Sequence, residues 1–306
     1  MSTATGSTTA GGAPDTPTGP RHVTGEILTT KKVGAYQHLT LAVPDVAERA
    51  RPGTFVALPA GEGRLGRRAF WIRGVRTVGG FGSAVEVVVD PVGPGSRWLA
   101  AQPAGTRLEV TGPLGRPFSL PRDPVSCVLV GEGYSAACLF PLASRLKERG
   151  CTVVILLAAA DESRLLAALE ARRTARSVTV VTGDGSVGRA GAGSSLADLV
   201  GAALPEVLAR AEADVVYAAA PAATLARVAG AAEDAGAWSQ TALEQPGPCL
   251  TGLCQGCAVP VLGEDRVVRM VRGCTEGPVL RGDRVRWDSL GRVPTETAET
   301  AGGGAV

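Results

Sequence analysis

Histidine is nearly absent: only His22 and His38 occur in 306 residues. That excludes a His-centred catalytic triad and a His-rich metal site, and both histidines are expected on strands or at the surface. Long apolar runs are missing too. The longest, residues 153–160, falls far short of the roughly 20 needed to span a bilayer. Lys and Arg are dispersed and the formal net charge is +2, so the clustered basic face of a nucleic-acid-binding protein is lacking. Neither membrane nor nucleic acid is an expected partner. The first residues have neither the charged start and apolar core of a secretory signal nor the Arg-rich pattern of a transit peptide. They are rich in Ser, Thr, Gly, Ala and Pro, so a disordered tail is expected over 1–20, with another over 291–306. No internal repeat is seen, and Gly131-Glu132-Gly133 lacks the following Gly-Lys-Ser/Thr of a phosphate loop. Seven cysteines, an odd number, disfavour a disulfide framework and place the chain in a reducing cytoplasm.

What is present divides into three parts. Over 21–121, short β-branched runs are separated by Gly and Pro, as at 26–29, 38–43, 54–58, 84–89 and 107–111. This spacing predicts a small antiparallel β barrel. Over 122–242, buried-strand runs (125–130, 152–157, 178–181, 215–219) alternate with helical patterns (139–150, 161–173, 195–211, 222–235). That alternation predicts an α/β domain with a parallel sheet covered on both faces. After Trp238 the regular pattern stops. Residues 243–290 are rich in Gly, Pro and Cys, too few for a large core, and expected to be stapled by something inorganic.

The staple is legible. Cys249-Leu-Thr-Gly-Leu-Cys254-Gln-Gly-Cys257, with Cys274 further on, has the plant-type [2Fe–2S] spacing C-x4-C-x2-C…C. Four thiolates must converge on two irons inside a loop that wraps closely. Gly252 and Gly256 permit tight turns and leave amides free to point at sulfur, while Pro246 and Pro248 stiffen the entry. Structural zinc is the rival, but it usually shows two short C-x2-C pairs and only one is present. Cys127, Cys138 and Cys151 sit in apolar strand or helix positions and read as small buried hydrophobes. Trp98, Trp238 and Trp287 are expected to pack in the core or at interfaces.

With barrel, parallel sheet and four-cysteine loop in this order, the chain resembles the electron-transfer subunit of the NAD-dependent dihydroorotate dehydrogenases, within the ferredoxin-reductase superfamily. The likeness spans most of 21–290. It is sharpest in the Cys249–Cys257 loop and in Gly273-Cys274-Thr275-Glu276-Gly277-Pro278-Val279, which is similar to the family's C-x-[DE]-G-P-V. The resemblance implies an oxidoreductase with FAD and a [2Fe–2S] cluster, NADH as electron donor, and a catalytic FMN-bearing dihydroorotate dehydrogenase subunit as partner. A nicotinamide delivers two electrons together and a cluster takes one, so a flavin must mediate. Dihydroorotate would be handled by the partner, so no catalytic base is expected in this chain.

Residue by residue, the family's Arg-Pro-x-Ser-Ile strand falls on Arg68-Ala69-Phe70-Trp71-Ile72. Arg68 suits the FAD pyrophosphate, whereas Trp71 replaces a hydroxyl donor with a bulky ring. The Gly-x-Gly-Thr motif falls on Gly93-Pro94-Gly95-Ser96, and a barrel-exit motif on Gly112-Pro113-Leu114-Gly115. The family's Gly-Gly-Gly-Ile-Gly-x-Ala-Pro-Leu falls on Gly131-Glu132-Gly133-Tyr134-Ser135-Ala136-Ala137-Cys138-Leu139, at a strand end suited to a dinucleotide. There Glu132 brings a carboxylate to where phosphate is expected. Cys-Gly-Pro becomes Ala219-Ala220-Pro221. Thr182-Gly183-Asp184-Gly185-Ser186-Val187-Gly188 follows the family's Thr-Asp-Asp-Gly-Ser-x-Gly loop, which brings in Asp184. Two other readings stay open: a reductase subunit serving another redox partner, and a cofactor-degenerate scaffold with a structural metal held by the four cysteines.

Overall fold

The computed structural model describes residues 19–61, 63–64, 66–190, 195–244 and 247–291. Of the two expected tails only Gly19, Pro20 and Gly291 are among them, and Pro246 lies outside.

Six antiparallel strands form the N-terminal unit: β1 (Arg21–Val33), β2 (Tyr36–Ala42), β3 (Phe55–Pro59), β4 (Arg67–Val78), β5 (Gly82–Val89) and β6 (Arg107–Leu114). They close into a barrel in the order β1-β2-β5-β4-β3-β6. Two short helices, α1 (Pro44–Ala47) and α2 (Pro94–Ala100), sit in its connections. Strict alternation on β6 turns Leu108 and Val110 inward, where they pack with Ile27, Leu41 and Val87. β4 is the strand that hydrophobic alternation hides. Its outer positions are basic, and Arg73 and Arg76 share the Glu86 carboxylate of β5 at 3.4 and 3.1 Å.

The second unit holds the strands β7 (Ser126–Glu132), β8 (Thr152–Ala159), β9 (Ser177–Thr182), β10 (Arg189–Ala190), β11 (Val215–Ala219) and β12 (Trp238–Ala242). All pair in parallel, in the order β10-β9-β8-β7-β11-β12. Helices α3 (Leu139–Glu148), α4 (Ala168–Thr174), α5 (Leu196–Ala211) and α6 (Ala222–Asp234) cover it. β7 is apolar over 127–131 because both its faces are buried there. Cys127 and Leu129 pack with Leu142 and Tyr217 on one side, and Val128 and Val130 with Leu204 and Val228 on the other. Cys127, Cys138 and Cys151 are buried. Trp287 packs against the second of these cores and donates to the Gly282 carbonyl at 3.0 Å, whereas Trp238 is 39% exposed under the Arg281 guanidinium.

Two expectations need correction. The helix expected over 161–173 is split into one 3-10 turn, Glu162–Arg164, and the later α4, with Ala167 between them at φ +51°. The barrel takes the groups a helix would use. Ala35 N–H donates to the Ser163 carbonyl (2.8 Å), Tyr36 Oη to the Arg164 carbonyl (2.7 Å), and the Arg164 guanidinium pairs with Asp90 (2.9 Å). The pattern also does not stop at Trp238, since residues 238–242 form β12. Its buried positions are polar (Ser239, Gln240, Thr241), so no apolar run marks it. Burial is tolerated because Gln240 accepts from the Ser119 amide (2.9 Å) and donates to the Ser119 carbonyl (2.8 Å).

The C-terminal stretch adds a hairpin, β13 (Ala258–Leu262) with β14 (Val268–Arg272), and then β15 (Val279–Arg281), which runs antiparallel to β12 as the seventh strand of the large sheet. It also locks onto the barrel: Arg116 N–H donates to the Gly277 carbonyl at 2.6 Å, and Leu243 N–H to the Pro278 carbonyl at 2.9 Å. Gly115 makes this approach possible. Its φ is +80°, and a methyl group there would lie 2.3 Å from Pro278 Cδ and 2.9 Å from the Phe55 ring. Gly115→Ala is therefore expected to destabilise the chain by about 2 kcal/mol, through left-handed strain plus overpacking. A urea melt reads this as a lowered midpoint; an unchanged midpoint would contradict the docking geometry.

Candidate redox site

The cysteine loop is wound by three residues in the left-handed region, Leu250 (φ +58°), Gly252 (φ +86°) and Gln255 (φ +56°). This winding turns backbone amides inward. Thr251 and Cys254 N–H groups point at Cys249 Sγ (3.4 and 3.3 Å), and Gly256 N–H points at Cys254 Sγ (3.4 Å). Cys274 arrives from beyond β14, and its thiol interacts with Cys257, Gly252 and Cys249. Cys249 interacts with Cys254, and Cys274 with both Cys257 and Cys249. Among the described residues no three His, Cys, Asp or Glu side chains are grouped to hold a single ion. A two-iron cluster takes two thiolates at each iron, which four interacting cysteines supply.

The electrostatics follow from position. Burial pushes the Cys249 thiol up, but the hydrogen bonds from Cys254 and Thr251 outweigh it and bring the thiol down to about 6. Burial, then the neighbouring Cys257, pushes Cys274 up to about 12. Thr275 Oγ1 is buried without a partner, beside Gly252. A hydroxyl left unpaired beside Gly252 and next in sequence to Cys274, in a loop whose amides are aimed at sulfur, fits a sulfide-bearing cluster.

A cleft of about 700 Å³ opens beside the loop, walled by Arg68 and Ala69 of β4, Tyr134 and Pro221 of the sheet domain, and Glu244 and Leu250 of the cysteine module. A small apolar cavity lined by Phe55, Trp71, Cys274 and Pro278 shares Ala69, Glu244 and Leu250 with it. Alternation along β4 decides which motif residues take part. Ala69 and Trp71 face the cleft system, while Phe70 and Ile72 point into the barrel core. Arg67 is held by Thr111 (3.0 Å) and Glu109 (3.1 Å). Arg68 donates only to the Arg67 carbonyl among the described residues (3.1 Å), so its guanidinium is available to a phosphate. Gly93 begins α2, with Ser96 Oγ accepting from the Gly93 amide at 3.1 Å. Gly95 presses on Ala60, where a methyl group would lie 2.9 Å from its Cβ. Ala60 follows Pro59, the β3 partner of Arg67, so this turn and Arg68 share one corner of the barrel. An open cleft and a guanidinium with donors to spare fit a flavin nucleotide.

On the sheet side, Gly131 lies under the 3-10 turn Gly133–Cys138, with no room for a side chain against Ala136. Gly133 takes φ +54° beneath Tyr36. The Glu132 carboxylate does not open onto the cleft; it accepts from Thr224, and burial raises it despite that bond, favouring the neutral form. Asp184 is not brought to the cleft. It caps its own turn, accepting from Ser186 N–H at 2.9 Å and Ser186 Oγ at 2.7 Å, two strands away from β7.

Sequence reasoning missed Glu244 and Tyr134 as a pair. Tyr134 Oη donates to Glu244 across the cleft. Glu244 is exposed and lines that cleft, where desolvation pushes its carboxyl up to about 7. Its place just before the cysteine loop was the available signal.

Barrel, doubly covered parallel sheet and paired-thiol loop define a flavin reductase of the ferredoxin-reductase type with an appended iron–sulfur module. Residues 248–286 match the iron–sulfur cluster binding domain of dihydroorotate dehydrogenase B. The electron transfer subunit of dihydroorotate dehydrogenase B (NAD(+)) from Geobacillus thermodenitrificans is 30% identical over 252 residues, 81% of this chain and 91% of the relative. That from Desulforamulus reducens is 28% identical over 257 residues, covering 82% and 92%. A chain of the NADH-dependent reduced ferredoxin-NADP oxidoreductase superposes with a TM-score of 0.73 at 27% identity, over 87% of this chain and 91% of that one. The ferredoxin reductase of carbazole 1,9a-dioxygenase shares the fold, with a TM-score of 0.57 at 20% identity over 74% and 69%. The chain belongs to the family of dihydroorotate dehydrogenase B electron transfer subunits.

A raised carboxyl binds its proton more tightly in the folded chain. Glu244 therefore contributes stability below its ordinary 4.5 that is lost as pH rises through about 7. Melting temperatures of wild type and Glu244→Gln are expected to converge at pH 5 and separate by pH 8, with wild type the lower. Parallel curves would show that Glu244 is already ionised in the folded state.

Proposed function

We infer that this chain takes reducing equivalents from NADH, holds them on FAD, and passes them singly through a [2Fe–2S] cluster to the FMN of a catalytic dihydroorotate dehydrogenase subunit. Bound flavin converts the two-electron delivery of a nicotinamide into the one-electron steps of a cluster. The observation that carries the reading is spatial: the cleft beside Arg68 shares Ala69, Glu244 and Leu250 with the small cavity that the cluster thiol Cys274 lines.

The residues divide the work. Cys249, Cys254, Cys257 and Cys274 hold the cluster, with the amides of Thr251, Cys254 and Gly256 directed at its thiolates. Arg68 neutralises the FAD phosphates, and Gly93, Gly95 and Ser96 let the backbone of the adjoining turn approach them. Gly131 and Gly133 leave room for the dinucleotide at the end of β7. We assign 21–121 to FAD, 122–242 to the nicotinamide nucleotide and 243–290 to the cluster. Cys254 and Leu253, the latter 84% exposed, form the tip of the loop, where an acceptor subunit can come close to the cluster. Among the described residues no helix is long and apolar enough to cross a membrane, and the cytoplasm is the compartment that suits free thiols and this chemistry.

The likeness to the ferredoxin-NADP oxidoreductase chain favours one second reading, a reductase subunit with the same cofactors serving a different acceptor. Co-purification with a dihydroorotate-oxidising subunit separates the two.

The protein isolated anaerobically is expected to contain two irons and two acid-labile sulfides per chain, with flavin absorption that bleaches on adding NADH. Cys257→Ser should lose the cluster bands while keeping the flavin. Protein without iron or sulfide would end the assignment.

A further inference from the structure

Oxidising NADH releases two electrons and a proton, and in this chain they must part company. A hydride carries both electrons and one hydrogen nucleus onto the flavin, whereas a cluster takes electrons singly and takes no proton. For each NADH, one N–H bond of the reduced flavin ring breaks as its electrons leave, and that proton needs an acceptor. Position decides first which group can serve, and basicity second. Among the described residues that line the cleft, Glu244 is the sole carboxylate. Arg67 and Arg68 of β4 stay protonated, and the Tyr134 hydroxyl from the sheet domain is committed as a donor to Glu244. Glu244 also lines the small cavity that Cys274 borders, so it stands where the cleft and the cluster module meet. Its exposure gives a captured proton a way out to water.

We propose that the Glu244 carboxylate, held in place by the Tyr134 hydroxyl, is the proton acceptor for reduced flavin in this cleft. This rests on the cleft being the FAD site. An O–H bond forms at the Glu244 carboxyl as a flavin N–H bond breaks, and the carboxyl then gives the proton to water at the cleft mouth. For one NADH, two electrons reach the cluster one after the other and one proton reaches solvent. The ionisable groups that share the cleft or cavity with Glu244 are Arg67, Arg68, Tyr134 and Cys274. Desolvation lifts the carboxyl to about 7, where one group can both take up and release a proton near neutral pH. Tyr134 is a positioning residue: its hydrogen bond fixes the carboxyl on the cleft side.

The test uses the anaerobic full chain carrying FAD and cluster. The flavin is bleached with NADH, then mixed with excess oxidised cytochrome c, which draws both electrons singly. Glu244→Gln should slow the return of flavin colour about a hundredfold, far more than it slows bleaching, a step that sheds no ring proton. Added formate should restore part of the rate in Glu244→Ala. In wild type the reoxidation rate should fall as pH drops below about 7, where the acceptor is already protonated. A readout independent of turnover is the infrared difference between reduced and oxidised holoprotein at neutral pH. Negative charge on reduced flavin raises the proton affinity of a carboxyl beside it, so a carboxylic-acid band should appear on reduction and be missing from Glu244→Gln. The pH limb and the band are wild-type readouts and serve if the variants do not fold. Reoxidation unchanged in Glu244→Gln, or a wild-type rate independent of pH with no carboxyl band, would overturn the proposal while leaving the FAD site intact. A wild-type chain whose flavin is not bleached by NADH would overturn the proposal and the functional reading together.

Discussion

Bringing Cys274 up to the wound loop of Cys249, Cys254 and Cys257 organises the C-terminal module, and backbone winding does this together with the burial of Leu250, Cys257 and Cys274 in the main core. Leu250 and Gln255 occupy left-handed conformations that cost side-chain-bearing residues roughly 1–2 kcal/mol each. The return is a set of amides turned toward sulfur, a field that favours thiolate at Cys249. Metal–thiolate bonds offset such strain easily, because ligand binding in a module this small contributes directly to folding. The loop is therefore wound for its cluster and anchored by Leu250 and Cys257 in the core.

The rest of the architecture places that loop at the inner end of a cleft. Gly115 lets the barrel exit lie flat on Pro278, β15 stitches the C-terminal segment to the edge of the large sheet, and Tyr36, Asp90 and Arg164 latch the barrel to the sheet domain. Three modules thus meet at a single corner, with an aromatic residue of the barrel beside a cluster thiol of the last module. The polar pair Tyr134–Glu244 spans the same corner from the sheet side. Each module contributes one wall, so none of them alone contains the site.

Much of this was legible in sequence because the relevant signals are local. Cysteine spacing, the apolar strand runs of the parallel sheet and the positions of the glycine turns depend on neighbours a few residues away. What escaped depends on distant partners. β12 is polar and buried because Gln240 answers the Ser119 backbone more than a hundred residues earlier. The helix expected after β8 breaks because the barrel claims its carbonyls. Phe70 and Ile72 read as cofactor residues within a motif, yet the pleat turns them into the barrel and leaves the cleft to Ala69 and Trp71. Glu132 looked like a charge set against a phosphate, and Thr224, supplied by α6, turns it away. No window of sequence contains these pairings.

The central claim is that electrons entering as NADH reach the thiol-bound irons through this one chain. Electron paramagnetic resonance on the anaerobic holoprotein tests it directly, with NADH added in less than stoichiometric amounts. The account predicts the rhombic signal of a reduced two-iron cluster, growing with each addition. A cluster that stays silent with NADH and appears only with dithionite would contradict it.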